Sequence, residues 1–117
     1  MKYIDRKKVK WVEKKGYTAQ IFFDFKEKGN NSRFVLIKLK PRNEIKPHYH
    51  TKIKEILYVT KGSGKISING AEKSFKKEDI FLIEPNDVHS MKNESGEDME
   101  WLEFKMHDPP EKDIFFV

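Results

Sequence analysis

Residues 41–64, PRNEIKPHYHTKIKEILYVTKGSG, decide how the rest of the chain is read. His48 and His50 stand two apart, so on an extended strand both side chains point to one face. Glu55 lies an odd number of positions further on, and in an unbroken strand it would face the other way. It joins the histidines only if the chain reverses between them, and Thr51-Lys52-Ile53-Lys54 is polar enough to turn. Glu55 then opens a second strand, Glu55 to Thr60, that ends at Gly62 and Gly64. Imidazoles and a carboxylate converging in this way form a 2-His-1-carboxylate set, which suits a divalent transition metal. His89, behind the turn Pro85-Asn86-Asp87, is a further candidate.

The flanking sequence alternates in the same way. Tyr17, Ala19, Ile21, Phe23 and Phe25 alternate with Thr18, Gln20, Phe22 and Asp24, the period of a half-buried strand. A turn over residues 28–32 leads to a strand from Arg33 to Lys40. Pro41 and Pro47 limit pairing, so Arg42 to Lys46 is expected to bend before the histidines. Asn69-Gly70 joins Lys65–Ile68 to Ala71–Lys76, and Asn-Gly between alternating segments marks a tight hairpin. Further strands are expected at Asp79–Glu84, Val88–Asn93 and Met99–Met106. Residues 1–15 are a charged N-terminal arm that could carry a short edge strand.

No segment reads as a long helix, and closely spaced short strands with turn signals between them specify an all-β sandwich or barrel. Several strands are apolar on both faces. Ile56 and Tyr58 oppose Leu57 and Val59, and Ile80 and Leu82 oppose Phe81 and Ile83. One face lines the barrel; the other requires a second sheet or a second subunit. A homodimer is therefore expected. It would also cover the apolar tail, residues 111–117 with Phe115-Phe116, although that tail could equally fold back on its own barrel.

At 117 residues the chain is expected to form one domain with one core. It contains no apolar run long enough for a membrane-spanning helix, and no apolar segment follows the basic N-terminus as a secretory signal requires. No membrane partner and a cytoplasmic location are expected. With no cysteine, only histidine and carboxylate remain as strong metal ligands. The net charge of +5 raises the question of nucleic acid. Only Arg6, Arg33 and Arg42 among the basic residues are arginine, and the lysines are interleaved with acids, so a mixed-sign solvated surface is expected and no nucleic-acid partner. Abundant Lys and Glu with a single glutamine, Gln20, is also a heat-adapted composition.

With these residues in place, the chain resembles the cupin superfamily of small jelly-roll β-barrels. The family's first motif runs Gly, five residues, His-x-His, three or four residues, Glu, six residues, Gly. His48, His50, Glu55 and Gly62 match it, with Arg42 in place of the leading Gly. The second motif runs Gly, five residues, Pro-x-Gly, two residues, His, three residues, Asn. His89 and Asn93 match it, whereas Glu78, Glu84 and Asn86 replace its turn residues. The resemblance covers residues 34–110. It implies one cupin barrel over 1–117 with one divalent metal (Fe, Mn, Ni, Cu or Zn) held by His48, His50, Glu55 and His89.

Two functions follow from it. One is an enzyme acting on a small polar molecule, by dioxygenase or sugar isomerase/epimerase chemistry. The other is a non-catalytic module that binds or senses a metal or small ligand. No catalytic residue is assigned. Met91 and Asn93 share parity with His89 and are expected at the cavity, and Tyr58 outside the barrel. Glu103 shares a face with Trp101, but Leu102, Phe104 and Met106 compete for the interior, so Glu103 is expected in solvent. His107, beside Asp108-Pro109-Pro110, is expected to be structural or solvated.

Overall fold

The alternating segments form eleven strands in a computed structural model that describes residues 1–117. They are β1 (Val12–Glu13), β2 (Thr18–Glu27), β3 (Asn30–Leu39), β4 (Glu44–Tyr49), β5 (Lys54–Lys61) and β6 (Ser63–Ile68). β7 (Ala71–Lys76), β8 (Ile80–Ile83), β9 (His89–Lys92), β10 (Met99–Asp108) and β11 (Phe115–Phe116) complete the set. One antiparallel sheet has the order β1-β2-β3-β10-β5-β8 and the other β11-β4-β9-β6-β7. The only helix is a short 3-10 turn at Arg6–Lys8. This is the jelly-roll arrangement, a double-stranded β-helix.

The two sheets enclose one apolar core in the lower half of the barrel. Leu39, Leu57, Val59, Phe75, Met99 and Trp101 are fully buried there. Phe75 stacks at 5.1 Å between ring centroids from Trp101 and at 5.3 Å from Phe81. Trp101 sets the facing of β10. The indole is far too large for the outer surface to hide, so the odd-numbered residues of that strand point inward.

Bulges correct the simple alternation at two places. Between Ile45 and His48 on β4, two steps along β9 (Met91 to His89) are matched by three, so Ile45 and His48 both face inward despite their odd spacing. The extra residue falls where Pro47 has no N–H to give the ladder. The expected bend is thus confined to a turn at Pro41-Arg42, closed by Asn43 N–H to the Lys40 carbonyl, and β4 already begins at Glu44. On β2 a bulge between Ile21 and Phe23 brings Phe23 opposite Phe34 and moves Phe23 and Phe25 off the inner face.

Outside, Gln20 Nε2 donates to the carbonyls of Arg6 and Val9 and pins the N-terminal arm against the large sheet. The tail folds back on its own barrel: Phe115 pairs with Tyr49 and Phe116 with His48. The outer face of β5 and β8 has no such cover. Ile56, Tyr58, Ile80 and Leu82 are all exposed, and they pair as Ile56–Leu82 and Tyr58–Ile80.

The turn positions where this sequence departs from the cupin motifs keep the backbone that glycine would favour. Arg42 (φ 64°), Glu78 (φ 77°) and Asn86 (φ 73°) all lie in the left-handed region. Gly62 does so too, at φ 79°, and a Cβ there would sit 2.6 Å from the Asp98 carbonyl oxygen. Opposite outcomes are expected at the two kinds of position. Gly62→Val should destabilise the fold by at least ~2 kcal/mol, and Glu78→Gly should stabilise it by about 1 kcal/mol, both read from urea denaturation midpoints.

Candidate functional site

The upper half of the barrel is where the polar residues of the quoted stretch meet. His48 faces inward from β4 directly opposite His89 of β9, with 4.2 Å between ring centroids. His50 follows the end of β4, and the chain then reverses so that Glu55 enters on β5 from the opposite sheet. The reversal is held by one side chain. The Asp113 carboxylate accepts from the backbone N–H groups of Thr51 (2.9 Å), Lys52 (2.8 Å) and Ile53 (3.1 Å), and from the Thr51 hydroxyl (2.5 Å). Burial alone would raise the Asp113 pKa, but these four donors pull it down to about 2.

All four candidate ligands are buried, none more than 6% exposed. One ring nitrogen from each of His48, His50 and His89 lies within 4.8 Å of the others. The other ring nitrogen, Nδ1, faces a backbone carbonyl in every case: His48 to Lys46 (2.8 Å), His50 to Asp113 (2.6 Å) and His89 to Asp87 (2.9 Å). A carbonyl only accepts, so each Nδ1 carries its hydrogen and each Nε2 presents a lone pair to the cavity. Glu55 Oε1 sits 2.9 Å from His50 Nε2 and 3.6 Å from His89 Nε2. In that tautomer it accepts no hydrogen bond, although it is buried. Acceptors thus face acceptors at the buried wall of one cavity, an arrangement that a cation among them would satisfy. Nitrogen and oxygen donors in this number fit a divalent transition metal.

The surrounding charges agree with that donor set. Burial, and then the neighbouring His89, push the His48 pKa down to about 4, so it is neutral at ordinary pH and able to ligate. Burial works to raise Glu55, but the hydrogen bonds that a proton on His50 or His89 Nε2 would donate outweigh it and hold the carboxylate well below the usual range, so this oxygen calls for positive charge beside it.

Glu103 is not in solvent. It is buried, lines the same cavity, and accepts from Trp101 Nε1 at 3.3 Å. The competition on β10 is won by the Trp101 face, and Leu102, Phe104 and Met106 remain half-buried on the outside. Burial first, and Glu55 beside it second, push Glu103 up to about 8 against the opposing pull of Lys105. Lys105, inward on the same strand and directly across from Glu55, is held charged by Glu103 and Glu55 although burial opposes it. Sequence parity with Trp101 was the available signal for both residues.

The cavity has a volume of about 420 Å³. Met91 lines it as expected, but Asn93 does not. The Asn93 amide donates to Leu39 O and Glu97 O, and its oxygen accepts from Ser95, so the side chain closes the turn between β9 and β10. Tyr58 lies on the outer face. His107 is exposed at φ 60° with Nδ1 3.3 Å from Asn30 Oδ1, remote from the cavity. Tyr17, which shares the alternating face of Ala19 and Ile21, also lines the cavity, as do Lys14, Lys15 and Lys112, which nothing in their local sequence marks. The N-terminal arm and the tail bring them there.

A metal-compatible cavity inside a jelly roll defines a class of small β-barrel proteins. The sequence profile of the cupin domain matches residues 35–105, and the chain belongs to the cupin family. No curated protein sequence matches it. Among solved structures it is similar to KdgF from Halomonas sp. (15% identity, TM-score 0.79, 94% of this chain and 96% of that chain covered). It is also similar to the polyketide cyclase RemF from Streptomyces resistomycificus (20%, 0.78, 100% and 87%). A third is a predicted oxalate decarboxylase from Thermotoga maritima (19%, 0.76, 91% and 99%). At these identities the likeness is one of fold. No helix of the chain is long and apolar enough to cross a membrane.

The Asp113 lock gives an acid-stability prediction. Its pKa falls from 3.8 to about 2 on folding, so the unfolded chain binds more protons between those values and stability rises with pH across them. Its contribution is complete above about pH 4 and is lost as pH falls through about 2. Asp113→Asn should lower stability at neutral pH and flatten the acid limb in this window, measured by urea unfolding at a series of pH values.

Proposed function

We propose that the chain is a metal-dependent cupin that acts on a small polar molecule. His48, His50 and His89, through Nε2, and the Glu55 carboxylate would hold one divalent transition metal. The single observation that carries this reading is the orientation of the donors. Three backbone carbonyls occupy the outward nitrogens, and the inward lone pairs meet a buried carboxylate oxygen that lacks a donor. A bound ion would supply Lewis acidity toward a carbonyl, enediol or carboxylate oxygen.

Glu103 favours an enzyme over a storage or sensing module. It is a buried carboxyl on the cavity wall beside the candidate ligands, which is the position a proton-transfer group needs. The similar structures include a polyketide cyclase and a predicted oxalate decarboxylase, so the fold itself accommodates different chemistries. Proton transfer at a metal-polarised substrate is the reading best matched to Glu103. Elemental analysis of protein purified without a tag or chelator tests the metal. About one equivalent per chain is expected in the wild type and none in His48→Ala/His50→Ala, which should remain folded because its core is apolar. Metal-free wild-type protein that is not stabilised by added Fe, Mn, Ni, Cu or Zn would sink the proposal.

We infer also that a second copy covers the outer face of β5 and β8. That face carries Ile56, Tyr58, Ile80 and Leu82, continues to Leu102 and Phe104 across the β5–β10 pairing, and ends at the free edge of β8. A patch of this kind packs on itself about a two-fold axis. Sedimentation equilibrium should show a dimer for the wild type and a folded monomer for Ile80→Lys/Leu82→Lys. A wild-type monomer at high micromolar concentration would contradict the dimer.

A further inference from the structure

The cavity walls carry more positive charge than the candidate metal site uses. Four lysines, Lys14, Lys15, Lys105 and Lys112, line it against two carboxylates, Glu55 and Glu103. Glu55 is committed to the histidines. Lys105 is the informative one. It projects inward from β10 with its side chain 23% exposed, and the carboxylate oxygen within 4 Å of its Nζ, Glu103 Oε2, is 3.9 Å away. That is beyond hydrogen-bond length, so its ammonium protons are not matched by this partner. Burying an ammonium is expensive, and nothing in the packing of this layer requires it, because Ile37, Ile45 and Met91 fill the neighbouring inward positions.

The other three lysines stand at the mouth. Lys14 and Lys15 come from the segment between β1 and β2, and Lys112 from the tail. Lys15 Nζ lies 4.6 Å from the Phe116 ring centroid, so arm and tail meet over the entrance. An anion approaching this opening meets positive charge at the rim and, inside, an ammonium whose protons make no hydrogen bond to the carboxylates beside it, while Ile114 and Phe116 offer an apolar wall for a carbon skeleton.

From this geometry we propose that the cavity binds a small organic carboxylate, with its carboxyl group on Lys105 and the rest of the molecule directed toward the histidine cluster. This rests on, and narrows, the proposed function above. Carboxylate is favoured over phosphate because the interior supplies one ammonium, and neither an arginine fork nor a helix N-terminus lines the cavity.

The test compares matched anionic and neutral probes on zinc-loaded protein at fixed ionic strength, by isothermal titration calorimetry: lactate with lactamide, gluconate with glucitol, and benzoylformate with its amide. At least one anion of the panel should bind at least tenfold more tightly than its neutral partner. Lys105→Met should abolish most of that preference, and Lys112→Met, at an exposed position, should weaken it by about two- to threefold. Circular dichroism confirms that each variant is folded.

Equal binding within every pair, no binding by any anion, or an unchanged preference in Lys105→Met would overturn the proposal. So would methyl phosphate binding more tightly than all the carboxylates. Zinc content measured on the same samples separates this from the metal reading. If wild-type protein takes up neither zinc nor Fe, Mn, Ni or Cu, that reading fails, and the same titrations on metal-free protein still decide for or against the anion site by the same criteria.

Discussion

Four buried acceptors facing one another are the constraint around which this barrel is arranged. Three imidazole lone pairs and the Glu55 carboxylate oxygen are buried together at the wall of one cavity. A cation among them satisfies all of these acceptors at once. The fold prevents the easier escape of turning the rings around. Lys46, Asp87 and Asp113 each present a main-chain carbonyl to an Nδ1–H; Lys46 lies in β4, Asp87 closes the turn after Glu84, and Asp113 is held by its own carboxylate.

The C-terminal tail is therefore part of the site rather than an appendage. Asp113 uses its carboxylate to tie the 51–53 reversal and its carbonyl to orient His50, so one residue fixes both the path of the chain and the tautomer of a candidate ligand. Two residues later the same segment adds a strand to β4 beside His48, and Phe116 forms part of the cavity wall. Folding of the tail and completion of the cavity are the same event.

The fold was largely legible in the chain because strand alternation and turn chemistry are local. His48, His50 and Glu55 could be grouped from spacing, the cupin resemblance added His89, and Gly62 and Asn69-Gly70 marked real turns. What parity alone could not give was the facing of β10, where both sets of side chains are apolar enough to be buried. The volume of Trp101 decides it and carries Glu103 and Lys105 inward. Asn93 shows the opposite error: correct parity placed it inside, but hydrogen-bonding demand in the following turn claimed its amide. The bulges at Pro47 and Phe22 shift the inward face by one residue, which a strict period of two misses. The rim lysines were invisible for another reason: long-range contacts of the arm and tail place them, and no local pattern encodes those.

The tautomer of the three histidines is the point on which the account turns. Long-range proton–nitrogen NMR on ¹⁵N-histidine protein loaded with zinc measures it directly. Three imidazoles that retain Nδ1–H and bind zinc through Nε2, with His107 unchanged by the metal, are the predicted result. Coordination through Nδ1, or three spectra unaltered by zinc, would contradict it.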